Sequence, residues 1–97
     1  MNYYTDDQLK TALPKMLPQC IHENGDLYIY DADFGSGGHR QVFDTELLHL
    51  CHQVELTLSW SEYSFFKKGL DNQLLRVESA SWQQRVAALA EVKGINI

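Results

Sequence analysis

A chain of 97 residues, 44% hydrophobic and 11% aromatic, has the composition of a single globular domain (residues 1–97) and not of a disordered segment. Its formal charge of −5 argues against a nucleic-acid-binding module built on a basic patch, and no run of about 18 apolar residues offers a membrane span. Area scaling gives roughly 5,700 Å² of folded surface, so a standard one-sided interface of about 800 Å² would cover about a seventh of it; a binding face is easier to build here than a deep, enclosed active site.

The elements follow in chain order. Thr5 and Gln8 form a capping box, with Asp6 and Asp7 in the first turn where the helix dipole favours them. Leu9, Ala12, Leu13, Met16 and Leu17 continue at helical spacing; Pro14 removes one backbone bond and predicts a kink, and Pro18 stops the helix. "CIHENGDLYIYD" predicts a hairpin turning at Asn24-Gly25, with Leu27 and Ile29 facing one way and Tyr28 and Tyr30 the other. "RQVF" (40–43) predicts a short third strand. From Asp44 or Thr45 a helix is expected to about residue 56, with Leu47, Leu48, Cys51, Val54 and Leu58 on its stripe; a strand over 54–60 competes, because Val54, Leu56, Leu58 and Trp60 also alternate. Ser59 and Glu62 make a second capping box, opening a helix expected to end with Gly69 as its C′ residue. Residues 71–79 fit a helical turn or a strand. Ser81 and Gln84 make a third box, and the last helix, with Trp82, Val86, Leu89 and Ala90 on one face, stops at Gly94. Strands early and helices late predict an α+β fold: about three short antiparallel strands in the N-terminal half, packed with several helices mostly in the C-terminal half.

Three candidate chemistries can be weighed against residue spacing. "YDADFGSGGHR" (30–40) lacks the Lys-Ser/Thr of a P-loop and has Arg40 where a dinucleotide fingerprint needs its third glycine. Asp31 and Asp33 match the first two ligands of a calcium loop, but Gly35, Ser36 and Val42 stand at its later ligand and turn positions. A glycine-rich connection between strands is the expectation there. Cys20, His22, His49 and Cys51, with His52, are acceptable zinc ligand types at a spacing that matches no structural zinc pattern, so a small zinc-binding domain stands as one alternative. Cys20 or Cys51 beside a histidine could pair a nucleophile with a base, but no oxyanion element accompanies them and no catalytic residue is assigned. The expectation is a protein that is not an enzyme and carries no cofactor.

Charge is distributed unevenly. Residues 1–50 hold Asp6, Asp7, Glu23, Asp26, Asp31, Asp33, Asp44 and Glu46 against Lys10, Lys15 and Arg40; residues 51–97 hold five acids and five bases. The acidic half suits a basic partner. Tyrosines in the same half suit an interface, because they combine contact area with a polar tip. The partner-binding set is therefore the eight acids with Tyr28 and Tyr30. The N-terminus has no basic n-region followed by an apolar h-region, so the expected location is the cytoplasm.

The opening "MNYYTDDQLKTALPKMLPQC", with the chain's size, acidity and α+β order, resembles the small phage-encoded anti-CRISPR proteins that inhibit type I-F surveillance complexes. That group shares no common motif, so no functional residue transfers by position. The resemblance implies a stoichiometric inhibitor in the host bacterial cytoplasm. Its target would be the lysine-rich surface where the complex admits DNA, occupied by an acidic DNA mimic that binds no nucleic acid itself. The alternative of a different class is a small acidic interaction or regulatory subunit with no link to nucleic acid.

Overall fold

The computed structural model describes residues 4–30, 38–71 and 79–97. Its elements are α1 (Asp6–Met16), β1 (Cys20–Glu23), β2 (Asp26–Tyr30), β3 (His39–Gln41), α2 (Asp44–Glu55), α3 (Trp60–Asp71) and α4 (Trp82–Lys93), an α+β order.

Local signals place most boundaries. Thr5 N–H donates to Gln8 Oε1 (2.8 Å) and Gln8 N–H to Thr5 Oγ1 (3.2 Å), closing the box that starts α1. The helix continues through Pro14 and buries Leu9, Ala12 and Leu13. Asn24 (φ 54°) and Gly25 (φ 83°) are both left-handed, the pairing a two-residue hairpin turn needs. The sheet is a meander, β1-β2-β3, antiparallel throughout. Ser59 with Glu62 and Ser81 with Gln84 cap α3 and α4 reciprocally. Gly94 ends α4 in the left-handed conformation (φ 69°).

Three expectations need correcting, and one competing alternative falls away. The third strand is His39–Gln41, not 40–43. Val42 N–H still donates to Leu27 O (2.8 Å), but Phe43 has already become the N-cap of α2. The competing strand over 54–60 does not form: Leu56 N–H bonds to His52 O and Thr57 Oγ1 to Val54 O, so the chain stays helical and then turns. On α2 the buried stripe is Leu47, Leu50, Cys51 and Val54; Leu48 is exposed, because the face is set by α4 and not by the best-looking run of leucines. Gly69 does not end α3. Leu70, fully buried and one turn beyond Phe66, holds the last turn in the core to Asp71. Of the ambiguous stretch 71–79, residues 72–78 lie outside the described residues.

α4 packs against α1, α2 and α3, and α1 also covers β1. Val86 and Leu89 of α4 meet Leu13, Leu47, Val54, Phe66 and Leu70 in one contiguous core. The molecule is elongated, 43 × 27 × 23 Å. Its 6334 Å² of surface exceeds the roughly 5,700 Å² that mass alone gives.

Among the described residues one buried residue is charged. Arg85 of α4 is 3% exposed. Its Nη1 donates to Glu55 Oε1 of α2 at 2.7 Å and its Nε to Ala80 O at 3.2 Å. Glu55 Oε2 is buried and has no hydrogen-bond partner among the described residues. Removing one member of a buried pair strands the other charge, whereas replacing both with apolar groups does not. Arg85→Leu should therefore lose about 3–5 kcal/mol of unfolding free energy. The double variant Glu55→Leu/Arg85→Leu should recover most of that loss in urea denaturation.

Candidate partner-binding surface

Alternation along the hairpin fixes which side chains share a face. Leu27 and Ile29 turn inward with Cys20 and His22; Leu27 and Cys20 are buried. The opposite face carries Asp26, Tyr28 and Tyr30 on β2. Register sets Glu23 across from Asp26 and Ile21 across from Tyr28 on β1, and Gln41 across from Tyr28 and His39 across from Tyr30 on β3. This outward face is open over much of its area: Tyr30 is 56% exposed and Ile21 39%. Four of the sequence-selected residues, Glu23, Asp26, Tyr28 and Tyr30, thus lie together. Their neighbours Ile21, His39 and Gln41 could have been found only by knowing the register.

The face has a polar end and an aromatic end. At the turn, Glu23 and Asp26 stand opposite one another, a repulsive cross-strand pair that only solvent screens. Roughly 13 Å along β2, the Tyr30 ring meets His39 edge-on, with centroids 5.7 Å apart and planes at 77°. Gly38 (φ 67°) brings the chain close enough that a Cβ there would lie 2.8 Å from Tyr30 Cε2. One glycine of the "GSGG" run therefore has a clear task, which is to let β3 pass the Tyr30 ring. Asp31 and Asp33 lie outside the described residues.

The remaining acids divide in two. Asp6 and Asp7 begin α1, and Asp7 Oδ1 lies 3.4 Å from His22 Nε2, in ion-pair range though not aligned for a hydrogen bond. This contact brings the start of α1 to the turn end of the hairpin, since His22 precedes Glu23. Asp6, Asp7, Glu23 and Asp26 thereby gather at one end, and Asp6, Glu23 and Asp26 have no basic partner among the described residues. Asp44 and Glu46 are engaged within the fold. Asp44 Oδ1 is 3.1 Å from Lys10 Nζ, and Glu46 Oε1 is 2.6 Å from Arg40 Nη1. Glu46 Oε2 also accepts from Phe43 N–H (2.9 Å). That backbone bond first, and the Arg40 hydrogen bond second, hold the Glu46 carboxyl below the ordinary carboxylate range. The stabilisation it gives α2 is present above that range and is lost as pH falls from it through the lowered pKa.

The proposed zinc set is not brought together. Among the described residues no group of three or more His, Cys, Asp or Glu side chains stands where it could hold a metal ion. Cys20 and His22 face inward from the sheet, Cys51 is buried on α2, and His49 and His52 lie on that helix's exposed side, where His49 Nε2 meets Gln53 Nε2 at 3.0 Å. Sequence reasoning also missed a second exposed surface, formed by Leu56 (86%), Trp60 (85%) and Phe65 (69%) around the α2–α3 turn. No helix among the described residues is long and apolar enough to cross a membrane.

Both thiols are held neutral. Burial pushes Cys20 from 9.0 up to about 11, and burial with the nearby Glu55 carboxylate pushes Cys51 up to about 12. A thiol whose folded pKa is raised stabilises the fold below its unfolded pKa, and that contribution is lost as pH rises through about 11 and 12. Near pH 8, about where an ordinary thiol is reactive, DTNB should label neither cysteine in the native protein and both in urea. Comparison of the chain with protein-family models, with curated proteins and with solved structures finds no match in any of the three.

Proposed function

We propose that the protein is a stoichiometric inhibitor that binds a basic, DNA-admitting protein surface and blocks it. Docking uses the open face of the sheet together with the acidic end where α1 meets the hairpin. The type I-F CRISPR surveillance complex is the target to which the whole-chain resemblance points. The observation that supports the reading best is the register that sets Glu23 and Asp26 beside Tyr28 and Tyr30 on one solvent-facing surface.

In this reading Asp6, Asp7, Glu23 and Asp26 take the place of phosphates opposite partner Lys and Arg side chains. Duplex DNA carries about one charge per 1.7 Å of axis, so four carboxylates imitate only a short piece of it. The aromatic end must supply the rest: Tyr30, positioned by Gly38 and His39, is an ordered anchor with an exposed ring. Asp44 and Glu46 would contribute only by exchanging Lys10 and Arg40 for partner cations.

A second reading has its own observation. Leu56 and Trp60 are almost fully exposed, and an apolar surface of that kind suits a regulatory or assembly subunit with no link to nucleic acid.

One binding experiment separates the two. Affinity for the purified type I-F surveillance complex should fall about tenfold or more between about 50 mM and 200 mM salt, and target duplex should compete. Glu23→Lys/Asp26→Lys should weaken binding strongly, and Trp60→Ser should leave it unchanged. Affinity indifferent to salt, or lost only with Trp60→Ser, would overturn the inhibitor reading. Failure to bind the complex at all would remove that target.

A further inference from the structure

A groove of about 580 Å³ runs between α3 and α4, away from the sheet and its acidic end. Its apolar part is Phe65 on the α3 side with Ala88 and Val92 on the α4 side. Phe65 is 69% exposed although it adjoins this apolar lining, whereas Ala88 is buried and short, leaving a recess opposite the ring. Gly69 sits in the same lining.

The charges around the groove say what kind of body fits. Glu62 is already 3.9 Å from Lys93. That leaves Lys68 on α3 and Glu91 on α4, both exposed, on opposite walls and without an ion-pair partner among the described residues. A groove with one free cation on one wall and one free anion on the other is complementary to itself. A two-fold axis lying along the groove sets α3 of one copy over α4 of the next. Lys68 then faces Glu91 of the second copy twice, and each Phe65 ring meets the recess at Ala88. A strongly acidic or basic partner would satisfy only one wall.

We infer that α3 and α4 form the interface of a two-fold homodimer, closed by reciprocal Lys68–Glu91 pairs around a Phe65–Ala88 contact. The two 12-residue helices give a face only about 18 Å long, so the association is concentration-dependent. It does not depend on the inhibitor reading, because it uses none of the sheet face. It would, however, present two acidic ends from one particle.

Sedimentation equilibrium of the full chain tests this directly. The wild-type protein should show a monomer–dimer equilibrium. Lys68→Glu and Glu91→Lys should each weaken it by about tenfold or more, since each puts like charges together twice. Both residues are exposed, so circular dichroism should show unchanged folds. Mixing the two single variants should restore dimers, because the mixed pair again opposes unlike charges at both contacts; the double variant Lys68→Glu/Glu91→Lys should do so alone. A wild-type chain that stays monomeric at all concentrations overturns the inference. So does a dimer that survives both single exchanges, or one that the mixture fails to restore.

Discussion

The packing of α4 depends on a charge that the core cannot leave unpaired. Arg85 lies among Val86, Ala88 and Leu89 on a helix that touches the other three, and at 3% exposure its guanidinium has almost no access to water. It reaches Glu55 at the C-terminal end of α2 and Ala80 just before α4. Sliding α4 by one turn, about 5.4 Å, would separate these groups and bury an uncompensated charge. Apolar side chains tolerate modest repacking; an ion pair in this setting does not. The cost of misplacing it therefore narrows the arrangements open to α2 and α4. Cys51 lies on the same seam, with its thiol 3.8 Å from Trp82 O, and the same burial keeps that thiol protonated.

The sheet is held differently. Its three strands are short, and α1 covers the inward face through β1. Asp7 near His22 and Lys10 near Asp44 lie one helical turn apart on α1, so a single face of that helix meets both β1 and the start of α2. This arrangement leaves the outward sheet face uncovered over much of its area. It also brings the first turn of α1, with its two aspartates, to the hairpin turn. The acidic end is thus a consequence of how α1 packs as well as of composition.

Two of the exposed surfaces differ in their electrostatics. The sheet face with its acidic end carries uncompensated negative charge and would repel its own copy. The α3–α4 groove carries one free charge of each sign on opposite walls and would not. A small chain with limited core has little interior in which to bury a site, and here exposed Tyr30 and exposed Phe65 mark different faces.

The sequence by itself determined the helix starts, the hairpin and the fold class. Thr5–Gln8, Ser59–Glu62 and Ser81–Gln84 are satisfied within four residues, and Asn24-Gly25 needs only its own dihedral freedom, so neighbours along the chain suffice. It also placed Glu23, Asp26, Tyr28 and Tyr30 in one hairpin, because alternation is local. What only tertiary structure decided is which candidates keep their charge free and which residues meet from a distance. Asp44 and Glu46 looked equal to Glu23 and Asp26 until Lys10 and Arg40 were beside them. Leu48 was read onto the α2 stripe, but packing against α4 buried Leu50 in its place. Gly69 read as a stop until Leu70 found the core, and nothing in the sequence marked Arg85 for burial against Glu55. In each case the deciding partner is supplied by packing or by side-chain pairing, and local propensity holds no information about either.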